Sequence, residues 1–324
     1  MSQLTPRGSS SIQIIRTRKA KTPQEAVVGD FETAVIRAGV PPVGTESSSW
    51  LFDLSGRILG RSGVLRSLRP GTGVRLVGLM GCAERQLVPY GLRSTLGLYV
   101  WDCWPSAEDR WASLFRRWKP SFVFFTSSDA HRYWAPRLPH TLATWAPEAI
   151  EPRRYPPGPD LRDRDATLLE LGRRHDSFHS AAFEHLAKRR ARHTFSTPSR
   201  PFVFPDHPRL IAGLQNTVAM ACFPGSMSHP EGRTGHWESM THRYLEAICT
   251  RTLVVGHIPP EMIDLFGFKP GIDVDPDQPG ELLDQLQSDP GQFQDLVNRA
   301  RKRLLEVASW DVRVKEILGC LPMY

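Results

Sequence analysis

Gly235-His236-Trp237-Glu238-Ser239-Met240-Thr241-His242-Arg243-Tyr244-Leu245-Glu246-Ala247-Ile248 carries two glutamates separated by seven residues, and the apolar run Thr252-Leu253-Val254-Val255-Gly256 follows almost at once. A helix rises about 1.5 Å per residue, so eight steps inside one helix would set the two carboxylates about 12 Å apart along its axis. That is too far for a catalytic acid/base pair. It suits another task, with Glu238 at or before the helix start and Glu246 two turns in, holding the two ends of one long ligand such as a sugar nucleotide.

Working outward, the strand Val218–Phe223 leads into Pro224-Gly225-Ser226 and Gly232-Arg233-Thr234-Gly235, whose glycines let backbone approach a ligand closely. In open α/β sheets ligands sit at the carboxyl ends of strands, where helix N-termini hold anions. A phosphate-facing loop fits here, and so does a plain surface connection. The rest of the second half alternates in the same way. Strands are expected at Thr167–Leu171, Phe202–Phe204 and Leu253–Val255, and helices at Phe178–Arg192, Arg209–Thr217, Glu281–Gln287 and Gln292–Val307. In the first half a helix over 22–40 opens with Thr22-Pro23-Gln24-Glu25, an N-cap followed by proline and early acid. Strands are expected at Ile12–Ile15, Trp50–Asp53, Val74–Leu79, Leu96–Trp101 and Phe122–Thr126, with helices at Ala107–Arg117 and Ser128–Trp134. This alternation indicates an α/β fold with mainly parallel sheets. Five prolines from 147 to 159 break any regular element, which divides the 324 residues into domains 1–150 and 151–324.

A net charge of +7 and short basic clusters such as Arg173-Arg174, Lys188-Arg189-Arg190 and Arg299 to Arg303 favour anionic partners. Nucleotide phosphates, nucleic acid and an anionic membrane surface all qualify, as does the plainer reading of solvated helix faces. Five dispersed cysteines without a Cys-x-x-Cys pair argue for reduced thiols in the cytoplasm and against a structural zinc or disulfide framework. No apolar run approaches the roughly 18 residues of a membrane span. The basic, Ser-rich first twenty residues have no signal-peptide core.

From Thr167 to Leu318 the chain resembles the donor-binding half of retaining GT-B glycosyltransferases, which have two Rossmann-like domains with a cleft between them. The resemblance rests on an ordered set: Leu169-Glu170-Leu171-Gly172-Arg173, then Glu238 with Glu246-Ala247, then Leu253-Val254-Val255-Gly256, Pro260-Glu261, Gly271-Ile272-Asp273 and Ser309-Trp310 closing the long helix. It implies a sugar transfer from a nucleoside diphosphate donor to a hydroxyl acceptor, with retention of configuration and without a cofactor or resident metal. In such a reaction the departing phosphate can itself take the acceptor proton. Glu246 would accept from the ribose hydroxyls and Glu238 would sit by the donor sugar. Arg173, at the Gly172-Arg173 turn, would neutralise the diphosphate, and backbone N–H groups around Met240 and Thr241 would hold the distal phosphate. Each has a plainer reading too: Glu238 as a cap, Glu246 as a solvated helix residue, Arg173 as a surface cation.

Two departures stand out. The family's lysine shortly after Gly-Arg is missing, leaving Arg174 or Lys188 as the second phosphate ligand, and Cys249-Thr250-Arg251 stands where a glycine commonly closes the glutamate helix. The first half matches in architecture only. There, Asp102 after one strand and Ser127 and His131 after the next are the candidate acceptor contacts; His131 also reads as a first-turn residue of a helix capped by Ser128. His229, His236, His242 and His257 are close in sequence, but no acid completes a recognised ligand spacing, so no metal is expected. Neither a Gly-x-Ser-x-Gly elbow nor a P-loop is present. The alternatives are a nucleotide-sugar epimerase or hydrolase or a non-catalytic relative on the same scaffold, and a basic binder of nucleic acid or membrane surface. The transferase reading expects no nucleic-acid partner and leaves peripheral membrane contact open.

Overall fold

The computed structural model describes residues 12–16, 26–44, 73–87, 91, 94–199 and 202–321. The chain forms two compact units: the described residues of Met1–Pro147 together with Trp310–Tyr324, and Glu148–Ser309. The expected strand Trp50–Asp53 and the start of the helix over 22–40 lie outside the described residues; that helix runs from Ala26 to Arg37.

In the first unit β1 (Ile12–Ile15), β2 (Pro42–Val43), β3 (Val74–Met80), β4 (Thr95–Trp101), β5 (Phe122–Phe125) and β6 (Leu142–Trp145) pair in parallel in the order β2-β1-β3-β4-β5-β6. Phe122-Val123-Phe124-Phe125 is buried throughout, the pattern of a strand covered on both faces. The helix Glu108–Trp118 places Glu108 and Asp109 in its first turn and Arg116 and Arg117 in its last, complementing its dipole, and buries Trp111, Leu114 and Phe115 on one face.

One expectation fails at the end of the chain. Trp310 does not close the long helix Gln294–Val307 of the second unit; it opens a separate helix, Trp310–Cys320, that belongs to the first. The reason is burial: Trp310 has no exposed surface, and its ring lies 5.6, 5.9 and 6.3 Å from those of Phe31, Tyr99 and Trp101. The described residues 310–321 therefore fall with the first unit, and the second is Glu148–Ser309.

The second unit has β7 (Ala166–Glu170), β8 (His193–Thr194), β9 (Thr217–Cys222), β10 (Leu253–Gly256) and β11 (Ile272–Asp273), all parallel, in the order β11-β10-β9-β7-β8. Strand order thus reverses between β7 and β9, and the crevice at the carboxyl end of such a reversal is where open α/β sheets bind ligands. Phe202–Phe204 forms no strand; it is a bend flanked by Pro205, with Phe202 75% exposed and Val203 tucked into the core. The proline-rich connection is pinned to this unit. Buried Arg164 donates to the carbonyls of Pro159, Leu214, Thr217 and Thr250, and Gly158 N–H donates to Thr250. Burial lowers the Arg164 pKa to about 10, which leaves it charged at neutral pH. Among the described residues no helix is long and apolar enough to cross a membrane.

Candidate functional site

Two of the sequence candidates, Gly172 and Arg173, lie at the β7/β9 reversal. Leu171, Gly172 and Arg173 follow β7 directly, with Gly172 at φ +79°, a left-handed conformation that favours glycine. Across the reversal, Gly225 follows β9, and a Cβ added there would lie 2.7 Å from Arg173 Nη1 and 2.7 Å from Thr234 Oγ1. The guanidinium and Thr234 thus pack close to the backbone here, and a side chain at 225 would displace one of them. The loop between Gly225 and Glu238 folds back by successive turns, Gly232 N–H to His229, Gly235 N–H to Gly232 and Trp237 N–H to Thr234, and so returns Thr234 to this point.

Glu238 lies four residues before the helix His242–Cys249 and is about a third exposed. Its Oε2 is 2.9 Å from Nε2 of His257, which follows β10. Tyr244, fully buried, donates to the His257 carbonyl at 2.9 Å. Its phenol is pushed well up by burial, with Cys222 and Glu238 adding to the shift and Arg173 opposing it. Tyr244 is therefore flanked by the fields of both Glu238 and Arg173. His257 was not singled out for this role by the sequence; only its place after a carboxyl strand end could have pointed to it.

Glu246 is 3% exposed and has a partner at each oxygen. Tyr155 Oη donates to Oε1 at 3.1 Å, Arg243 Nη1 pairs with Oε2, and His242 Nε2 stands 3.8 Å from Oε1. It is not a solvated helix residue. Each carboxylate oxygen still has a second lone pair for a ligand hydroxyl.

Other candidates fall differently. The Met240 N–H, expected to face a phosphate, donates to Oε1 of buried Glu261 at 2.6 Å, and Ser239 Oγ donates to the same oxygen at 3.0 Å. The Pro-Glu loop thus ties down the glutamate loop. Thr241 is the N-cap residue of the helix, in extended backbone. Arg174 turns away from Arg173, with Nη1 3.3 Å from His179 Nε2 and Nε 4.0 Å from Asp176. Lys188 ends the helix Asp176–Lys188, twelve steps or about 18 Å along the axis from its start, at the opposite edge of the sheet. It is not brought to the Arg173 turn.

In the first unit, Asp102, Ser127 and His131 do lie past the carboxyl ends of β4 and β5. That sheet's order reverses elsewhere, between β1 and β3. Asp102 takes φ +55° and accepts from Trp104 Nε1 at 3.0 Å. Ser127, not Ser128, caps the helix Ser128–Trp134, accepting from Ala130 N–H, and is buried. His131 lies against Phe125, ring centroids 6.4 Å apart.

No protein-family model matches the sequence, and no curated protein matches it. Solved structures do match. A sucrose-phosphate synthase from Thermosynechococcus elongatus superposes with a TM-score of 0.60 at 13% identity, over 96% of this chain and 98% of that one. HepE from Anabaena, in complex with UDP and glucose, gives 0.56 at 10% identity over 96% and 100%. An α,α-trehalose-phosphate synthase (UDP-forming) from Burkholderia vietnamiensis gives 0.54 at 10% identity over 90% and 84%. The chain has the GT-B fold. Identities this low speak to fold, and the coverage extends that likeness to both Rossmann-like units.

Proposed function

We propose that this chain is a glycosyltransferase that moves a sugar from a nucleoside diphosphate sugar to a hydroxyl acceptor with retention of configuration. The observation that carries the reading is the placement of Arg173 beside Gly225 and Thr234 at the β7/β9 reversal, with Glu238 held by His257 at the same sheet edge. A guanidinium there meets two phosphates as a fixed fork of donors. As the bond between the anomeric carbon and the diphosphate oxygen breaks, charge grows on that oxygen, and a preorganised cation stabilises the departing group. The acceptor oxygen forms the new bond and its proton passes to the leaving phosphate. Glu238 lies by the sugar and Glu246 by the ribose, so the two carboxylates fix the donor's ends. Arg173 meets part of the charge on the diphosphate, and the transfer is proposed to proceed without a metal. Five unpaired cysteines suit a reducing, cytoplasmic setting.

UDP in the HepE complex and the UDP-forming reaction of the trehalose-phosphate synthase make uracil the first base to test. Thermal shift of the purified protein against a panel of nucleoside diphosphates and their sugars should single out one base. At 100 times its dissociation constant a ligand stabilises by about 2.7 kcal/mol. Release of nucleoside diphosphate from the matching sugar should then fall on Arg173→Ala and Glu238→Gln. A panel with no shift and no release overturns the proposal.

A further inference from the structure

Among the described residues, Glu170, His179 and His193 form a compact group away from the glutamate helix. Glu170 ends β7, His193 opens β8, and His179 is the fourth residue of the helix Asp176–Lys188. Parallel pairing sets Leu168 opposite His193, so three regular elements each deliver one ligand atom to the same point. Glu170 Oε1 lies 2.7 Å from His179 Nδ1 and 2.7 Å from His193 Nε2, and the three atoms fall within 4.8 Å of one another. The side chains of Glu170 and His193 are 5% and 6% exposed. Phe195 stands 4.8 Å from the His179 ring and 4.7 Å from that of His193, and Phe183 stacks on His179, which gives the group an apolar collar. A groove lined by Arg192, His193, Thr194 and Thr197 opens beside it.

We infer that these three side chains bind one divalent transition-metal ion of the zinc class. Two imidazoles and one carboxylate suit a borderline cation, whereas magnesium and calcium take oxygen ligands. Tetrahedral bonds of about 2.0–2.2 Å set ligand atoms about 3.3 Å apart, so the present contacts open by about 0.6 Å to admit the ion. Without metal, His179 Nδ1 and His193 Nε2 both share Glu170 Oε1. To bind metal these two nitrogens must be free of protons, so each ring then carries its proton on the other nitrogen. At His179 this requires Arg174 to leave Nε2, which its 39% exposure permits. At His193 the other nitrogen, Nδ1, is buried with no hydrogen-bond partner among the described residues. Among the described residues Nε2 is thus the hydrogen-bonding nitrogen of this ring, and it faces Glu170. The fourth position is left for water from the groove. This inference does not rest on the transferase reading, although the group sits three residues before Arg173.

The test is a titration of the full-length protein, stripped with chelator, by Zn²⁺ against a chromophoric competitor. One saturable equivalent is expected. Glu170→Gln and His193→Gln should each weaken it by at least about tenfold, the scale already reached by loss of outer-shell partners, while His236→Gln leaves it unchanged. X-ray absorption of the zinc-loaded wild type should show nitrogen and oxygen neighbours with imidazole scattering, which tests the site even if a variant fails to fold. Absence of a saturable equivalent, equal affinity in the Glu170 and His193 variants, or sulfur in the first shell each overturns the proposal.

Discussion

The two units build their interiors from different materials. The first is aromatic: Phe31, Tyr99, Trp101 and Trp310 form one mutually touching set, and Trp111, Phe115 and Phe125 lie nearby. Buried charge is more frequent in the second, although the first also buries Glu32 and Arg313. Glu170, Glu246 and Glu261 are each 5% exposed or less and each is paired, with His179 and His193, with Tyr155 and Arg243, and with Ser239 and the Met240 N–H. Arg164 is buried against carbonyls. Buried ion pairs contribute little net stability compared with apolar packing, because desolvation offsets attraction. On the proposed function, the three buried glutamates are better understood as positioning groups than as a source of stability, whereas Arg164 anchors the amino-terminal end of the sheet.

The contrast can be broken in several ways, and the largest expected effect is in the aromatic unit. Trp310→Ala should cost about 3–5 kcal/mol, the range for truncating a fully buried aromatic. Limited proteolysis should then cut within the first unit while the second persists. Cleavage of both units alike would show that the last helix does not serve the first unit alone.

Next comes Arg173→Ala, expected to slow diphosphate release by about 10²–10³-fold, or 2.7–4 kcal/mol, the loss on removing one preorganised donor. Asp102→Ala should leave hydrolysis of the donor in the absence of acceptor nearly unchanged, since its side chain holds Trp104 in the other unit. Comparable losses in both variants would erase the distinction between the two sheet edges.

Glu246→Ala should destabilise the second unit by about 1–3 kcal/mol in urea unfolding, as Tyr155 loses its buried acceptor. The low end is expected, because the Arg243 side chain is 40% exposed and water can replace its partner. Nucleoside diphosphate affinity should fall in parallel.

The smallest effect is alkaline. Burial first, and Glu246 second, push the Tyr155 phenol far above its ordinary value of 10.0. A pKa raised on folding contributes stability that is complete below 10 and declines as pH rises beyond it, because the unfolded chain ionises first. Tyr155→Phe should therefore lose less stability than the wild type between pH 9 and about 11, read from urea midpoints at each pH. Equal slopes would mean that Tyr155 is not buried against the carboxylate.

Much of the fold is legible in local pattern. Runs such as Phe122–Phe125 and Leu253–Gly256 are continuous and apolar because their strands are covered on both faces, and the sequence shows this directly. Very short strands are not legible. His193–Thr194 has two residues, and what makes it a strand is its pairing with β7. Phe202–Phe204 has the better strand composition and forms none.

At the site, the family resemblance named Gly172 and Arg173 on one turn and Glu238 and Glu246 on another, and it could do so because each of these motifs is local in sequence. Tertiary structure alone decided which groups face them. Gly225 and Thr234 meet Arg173 across the strand reversal, His257 reaches Glu238 from nineteen residues away, and Glu261 takes the Met240 N–H. Glu170, His179 and His193 converge only because a helix and a parallel strand return to the end of β7. Periodicity and spacing encode which elements form, through burial of one face or two. Which side chains meet depends on strand order, a long-range property set by how whole elements pack.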